Sequence, residues 1–220
     1  MKYLILDTSS NYLYLFLTNG EKDYSVVLEG RNNHSEKIMD LISDGLNKLN
    51  MEVADLERII CGIGPGSYTG LRVALTICKM FSWAKNIPLY TISSLDILGS
   101  GYFNNDGTYA ITNTAKRDYI YSKIIKVNGG KLETLQDDKF ILKEEFIESL
   151  DKGITLVTED NYKYDAKVIL EIAKNKVDNI HEVEPNYLRE ALSWGTKLEK
   201  WPLMISKKLL RVKKKSSESL

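Results

Sequence analysis

At 220 residues, 43% hydrophobic and 27% charged, the chain has an ordinary soluble composition, with room for one large domain or two small ones. The first apolar run, Tyr3 to Leu6, stops at Asp7, too short for a secretory leader. Nothing approaches the roughly 20 apolar residues of a membrane span, so the expectation is a cytoplasmic protein without a membrane partner. Formal charge is zero, yet Lys207, Lys208, Arg211, Lys213, Lys214 and Lys215 crowd residues 207–220 against Glu218 alone, leaving 24 basic and 29 acidic residues in positions 1–206. The body therefore lacks the basic footprint of a nucleic-acid-binding domain, and the tail reads either as a solvated end or as an RNA contact.

In chain order, Tyr3 to Leu6, Tyr12 to Thr18 and Tyr24 to Leu28 predict a strand meander, with Asn19-Gly20 as a hairpin turn. A helix follows from His34 to Asn50, with Asn33 as its N-cap and Glu36 completing a capping-box pattern. Its apolar stripe is Ile38, Leu41, Ile42, Leu46 and Leu49. Arg58 to Gly62 predicts a short buried strand and Leu71 to Lys85 a second long helix. This helix carries two apolar stripes, Leu71/Ala74/Leu75/Cys78/Phe81 and Val73/Ile77/Met80/Ala84, more than one sheet covers. Its far side is expected either to meet the first helix or to hold a partner.

Pro88 to Thr91 predicts a strand, Ser93 or Ser94 caps a short helix through Leu98, and Gly99-Ser100-Gly101 reads as a hinge. Beyond it, Tyr109 to Thr112, Tyr119 to Val127 and Lys131 to Leu135 predict strands, with a turn at Asn128-Gly129-Gly130. Lys143 to Leu150 reads as helix, Ile154 to Thr158 as strand and Asp165 to Lys174 as helix. Both halves thus combine a strand meander with alternating helices and strands, predicting two α/β units over residues 1–100 and 101–206, each with a mixed sheet and flanking helices, and a basic tail over 207–220.

The most informative stretch is Gly64-Pro65-Gly66-Ser67-Tyr68-Thr69-Gly70-Leu71-Arg72, which joins a buried strand to a long apolar helix. Its glycines allow positive φ and close backbone approach, and Ser67 or Thr69 can cap the helix, so its N–H groups face an anion or a tightly packed neighbour. It is not a P-loop, having no Gly-Lys-Ser/Thr, nor a dinucleotide fingerprint, whose glycine spacing differs. Gly66 to Gly70 also misses the serine-hydrolase elbow by one position. The two histidines, His34 and His181, and two cysteines, Cys61 and Cys78, have no metal-ligand or disulfide spacing, so no metal site is expected. Asp7-Thr8-Ser9-Ser10 is similar to the phosphate loop of sugar kinases and actin-like ATPases but lacks a glycine. It reads equally as a local turn.

Together, Ile5 to Ser9, His34-Ser35-Glu36, Gly64 to Arg72, Ser93-Ser94-Leu95 and Pro185-Asn186-Tyr187-Leu188-Arg189 resemble the TsaB (YeaZ) family over most of the chain. The resemblance implies an actin-like, RNase H-like (ASKHA) fold. It also implies a non-catalytic subunit that pairs with a TsaD-type transferase, joined by a TsaE-type ATPase, to threonylcarbamoylate the tRNA adenosine immediately 3′ of the anticodon. The family's pairing surface uses the two long helices, which here nominates Ile38, Ile42, Leu46, Ile77, Met80 and Phe81 for a partner or for a homodimer of the isolated chain. Asp7, Thr8, Gly64, Gly66, Ser67, Thr69, Gly70 and Arg72 are the candidates for a nucleotide-facing or structural loop. No cofactor of its own is expected, and ATP or ADP is left for the shared interface of the complex. The alternative is an ATP-dependent enzyme of the actin-like superfamily, with those loops around the phosphates. One departure stands out: where the family has Asp-Ala-Arg, this chain reads Thr114-Ala115-Lys116-Arg117.

Overall fold

The structure, a computed structural model, describes residues 1–30 and 34–188, with side chains for 1–30 and 37–188. The Asn33 cap, the side chains of His34, Ser35 and Glu36, Arg189 and the basic tail lie outside the described residues.

The chain opens with β1 (Tyr3–Asp7), β2 (Tyr12–Thr18) and β3 (Asp23–Glu29), an antiparallel meander in which Leu4 faces Leu17 and Leu15 faces Val26. The predicted Asn-Gly turn joins β2 to β3. Gly20 takes φ +93°, and the Asn19 side-chain oxygen accepts from the amides of Glu21 and Lys22 at 2.9 and 2.8 Å. After α1 (His34–Lys48), β4 (Arg58–Gly62) lies parallel to β1. The helix α2 (Tyr68–Lys85) returns the chain to β5 (Leu89–Ile92), parallel to β4, in the crossover that parallel strands require. Ser67 is the α2 N-cap, accepting from the Gly70 amide at 3.3 Å, so the helix begins three residues before the predicted Leu71. Asn86, left-handed at φ +53°, ends it.

A short α3 (Ser94–Gly99) leads into the second half. There β6 (Gly107–Thr114), β7 (Tyr119–Asn128) and β8 (Lys131–Leu142) form an antiparallel meander, followed by α4 (Lys143–Glu148), β9 (Thr155–Val157), α5 (Ala166–Ile172) and β10 (Asn175–Lys176). Two mixed sheets result. The first has the order β10-β5-β4-β1-β2-β3, the second β8-β7-β6-β9. β8 is longer than predicted and β10, absent from the sequence reading, returns from the second half to close the edge of the first sheet.

The core explains the layering. One face of the first sheet, with Leu4, Leu6, Leu13, Leu15, Leu17 and Ile59, is covered by α1 and α2. Its other face, with Tyr3, Ile5, Tyr14 and Ile60, packs on Ile97 of α3 and Ala166 and Ile169 of α5. The same two helices turn Leu95, Leu98 and Val168 toward Tyr109, Ile111, Tyr121 and Ile125 of the second sheet. Phe146 of α4 covers that sheet's far face against Ala110, Ile120 and Ile141. The near-continuous apolar runs of β1, β2 and β4 follow from this burial on both faces. Each fully buried side chain contributes roughly 1.5–3 kcal/mol, which fixes helix rotation as well as sheet register.

Candidate functional site

The Asp7-Thr8-Ser9 turn and the glycine loop hold each other. β1 delivers Asp7 to the sheet's C-terminal edge, where Asp7 and the Thr8-Ser9 turn are 1 to 2% exposed. Both Asp7 carboxylate oxygens are occupied. Oδ1 accepts from the Ser9 amide at 3.1 Å and the Ser9 hydroxyl at 2.7 Å, and Oδ2 accepts from the Ser94 hydroxyl at 2.5 Å. Burial pushes the Asp7 carboxyl above the ordinary carboxylate range, and the hydrogen bonds from Ser94 and Ser9 oppose that shift.

The glycine loop closes over this turn from β4. The Ser67 amide donates to the Ser9 carbonyl at 2.7 Å, the Thr8 hydroxyl donates to the Gly70 carbonyl at 2.6 Å, and the Gly64 amide donates to Ser94 Oγ at 2.9 Å. A Cβ on Gly66 would collide with the Ser9 carbonyl, one on Gly70 with the Thr8 carbonyl and one on Gly62 with the Asp7 carboxylate. The glycine loop packs tightly against the Thr8-Ser9 backbone. Gly66 and Gly70 are required by backbone-on-backbone contact, and Gly62 by the Asp7 carboxylate. Tyrosines fill the adjoining space: Tyr14 stacks on Tyr164 at 4.4 Å, Tyr12 meets Tyr162 edge-on at 6.1 Å, and the Tyr162 hydroxyl donates to the Thr112 carbonyl at 2.7 Å. Among the described residues no group of three or more His, Cys, Asp or Glu is placed to hold a metal. No described helix is long and apolar enough to cross a membrane.

A second polar cluster ties this region to the second sheet. Lys123 of β7 pairs with Asp96 of α3 at 2.7 Å and lies 3.8 Å from Asp138 of β8. Asp138 also accepts from Ser93 Oγ at 2.9 Å and Asn186 Nδ2 at 3.3 Å. Asn186 belongs to an extended strap, residues 183–187, that crosses α2. Its amide donates to the Ile63 carbonyl at 2.7 Å, and Lys79 Nζ donates to the Val183 carbonyl at 3.1 Å.

Of the loop candidates, Asp7, Thr8, Gly64, Gly66, Ser67 and Gly70 meet in the clamp, whereas Thr69 is exposed on the first turn of α2 and Arg72 points away. Arg72 Nε donates to the Tyr187 hydroxyl at 2.9 Å, and its guanidinium lies 4.1 Å from the Tyr68 ring centre.

The interface candidates require a correction. Ile38, Ile42, Leu46, Ile77 and Phe81 are between 0 and 9% exposed and belong to the core beneath the first sheet. The core consumes the α1 stripe, the first α2 stripe and, of the second, Ile77, so these five side chains are closed to a partner. Met80 alone of the six is exposed, at 45%. Trp83 at 69% shares its side of α2, and Val73 and Thr76 precede them at i, i+3, i+7, i+10 spacing, a continuous strip along the helix. Met39 of α1 and Tyr68 are also exposed. Trp83 was missed because it falls between the predicted stripes. A tryptophan off the buried face was the available signal.

The family profile described as "TsaD: tRNA N6-adenosine threonylcarbamoyltransferase" matches residues 29–177. The tRNA threonylcarbamoyladenosine biosynthesis protein TsaB of Bacillus subtilis is 31% identical over 153 residues, covering 68% of this chain and 66% of that protein. The TsaB protein of Buchnera aphidicola subsp. Baizongia pistaciae is 27% identical over 225 residues, covering 85% and 97%. The structure of YeaZ from Pseudomonas aeruginosa superposes with a TM-score of 0.72 at 18% identity, covering 85% of this chain and 99% of that one. Two mixed sheets, shared middle helices and a strand-loop-helix junction at Gly64 to Arg72 define an actin-like, RNase H-like protein of the TsaD fold type. Within that class, the chain belongs to the TsaB (YeaZ) family.

Proposed function

We propose that this chain is a non-catalytic scaffold subunit that pairs with a TsaD-type transferase and activates it for N6-threonylcarbamoylation of the tRNA adenosine immediately 3′ of the anticodon. The observation that carries this reading is the closed clamp between the Asp7-Thr8-Ser9 turn and the glycine loop. With Asp7 saturated by serines, the Ser67 amide on the Ser9 carbonyl and the Gly64 amide on Ser94 Oγ, the chain offers the chemistry of a support. Membership in the TsaB family supplies the pathway, and the strip of half-buried Val73 and exposed Thr76, Met80 and Trp83 supplies a surface for the transferase or, in its absence, for a second copy. A TsaE-type ATPase and tRNA join through the complex, with any ATP or ADP at the shared interface, in the cytoplasm. Residues 1–100 and 101–206 are proposed as its two halves, with β10 crossing back to the first sheet.

Sedimentation of the purified chain mixed with the TsaD-type transferase of the same organism tests the pairing. The expected result is a single faster species containing both chains. Independent sedimentation of the two, or magnesium-dependent ATP turnover by this chain alone, would contradict the proposal.

A further inference from the structure

Between α2 and the 183–187 strap runs a groove of about 250 Å³ whose apolar lining is Leu75, Val183 and Pro185 and whose charged groups are Arg72, Lys79 and Glu184. Arg72 is built into it with unusual care for an exposed side chain. Its guanidinium lies 4.1 Å from the Tyr68 ring centre and 5.9 Å from that of Tyr187, the two rings are 5.1 Å apart, and its Nε is fixed by the Tyr187 hydroxyl at 2.9 Å. Stacking and one hydrogen bond hold the fork, and among the described residues its two terminal NH2 groups keep their donors, the geometry that receives an oxyanion through two parallel bonds. Much of the ordering entropy of that side chain is lost before any ligand arrives. Thr76 lines the groove and also belongs to the exposed strip of α2, so groove and strip are continuous.

We propose that this groove seats an acidic side chain of the transferase partner, its carboxylate gripped by Arg72 and its neighbouring aliphatic residue on Leu75, Val183 and Pro185. This rests on the pairing reading given above. A single carboxylate suits the site better than a nucleic-acid backbone. Glu184 stands in the groove, and positions 1–206 carry 24 basic against 29 acidic residues, a field that repels a polyanion yet is overcome locally by Arg72 and Lys79 for one charge. An apolar floor adds nothing for phosphate and much for an aliphatic stem.

Affinity of the full chain for the transferase, measured by calorimetry at low and high salt, tests this with Arg72→Gln, Arg72→Lys, Glu184→Gln and Met80→Glu, each checked for an unchanged melting midpoint. Arg72→Gln is expected to weaken pairing about 30-fold, as loss of an interface anchor does, and less at high salt. Arg72→Lys should weaken it nearly as much, because lysine has neither fork nor stack. Glu184→Gln should tighten it a few-fold, a direction that general destabilisation does not produce. Wild-type affinity in both Arg72 variants alongside failure of Met80→Glu would overturn the groove assignment and leave the pairing reading intact. Absence of pairing by the wild-type chain would overturn both. Loss of tRNA retention by isolated Arg72→Gln, with pairing unchanged, would assign the groove to nucleic acid and overturn the carboxylate.

Discussion

The Ser67 amide donates to the Ser9 carbonyl at 2.7 Å, so the loop before α2 is bonded directly to the turn after β1. In a nucleotide-binding relative of this fold those amides and that turn would need to stand apart around a phosphate. Here each satisfies the other's backbone groups, and the space between them is the van der Waals gap of two packed chains.

Gly70→Ala separates this account from ordinary helix propensity. Gly70 lies in the first turn of α2, where alanine alone would stabilise by roughly 0.8–1 kcal/mol. Contact with the Thr8 carbonyl is expected to reverse the sign, giving a net loss of about 1–3 kcal/mol in urea unfolding. A neutral or stabilised variant would mean that the clamp is loose.

The raised Asp7 carboxyl gives a signed pH dependence. The folded state holds the Asp7 proton more tightly than the unfolded chain, whose ordinary value is 3.8. This group's stabilising contribution is therefore complete below that pH and is lost as pH rises through the raised folded value. Asp7→Asn, which has no charge to bury, should gain stability relative to the wild type as pH is raised from about 4 to 7 in unfolding midpoints. A difference that is flat with pH, or of opposite slope, would show that the serine hydrogen bonds outweigh burial.

Two substitutions on neighbouring long helices should part company. Ile38→Ala, beneath the sheet, is expected to cost about 2–5 kcal/mol of folding stability. Met80→Glu, on the exposed strip, should leave folding within about 0.5 kcal/mol and weaken association with the transferase severely, because an unpaired charge would be desolvated there. Chemical unfolding of the isolated chain and sedimentation of the mixture read the two effects. Equal effects on both measurements would return the interface to the buried stripe.

Lys123→Met leaves two carboxylates, Asp96 and Asp138, facing each other without their cation. With the three side chains 10 to 16% exposed, the expected destabilisation is about 3–5 kcal/mol near neutral pH, shrinking in acid as the carboxyls protonate. Burial already raises both carboxyls, with Lys123 opposing, so their protonation window lies above the ordinary value. Urea unfolding across pH checks this, and a pH-independent loss would assign the cost to packing.

Most of the architecture was legible because its signals are local. The apolar run Tyr12 to Thr18, the Asn19-Gly20 turn and the stripe of α1 each rest on a few adjacent residues. Elements shaped by long-range pairing were harder. β8 runs past the predicted end at Leu135 to Leu142, through Asp137, Asp138 and Lys139, charges that an edge strand carries. β10 is two polar residues, Asn175 and Lys176, held by pairing with Thr91 and Tyr90. Gly70 hid the start of α2, since a helix-breaking residue was needed there for contact with Thr8.

At the site, residue types were legible and partners were not. The glycines announced close approach without saying to what. Asp7 reads equally as a phosphate-facing residue and as part of a local turn, and one partner of its carboxylate, Ser94, lies 87 positions away. The orientation of α2 was unreadable for the same reason: a helix apolar on two sides buries whichever one the sheet meets, and the rest is left for Met80 and Trp83 to declare.

The central claim, that this chain activates a transferase without doing chemistry itself, is tested most directly by drop-out reconstitution. The transferase, the TsaE-type ATPase, a threonylcarbamoyl-adenylate synthase, ATP, threonine, bicarbonate and tRNA are combined with and without this chain, and the modified adenosine is quantified. The account predicts that omission abolishes modification and that Gly70→Ala, where still folded, restores it with unchanged dependence on ATP. Undiminished modification in the chain's absence would contradict the account.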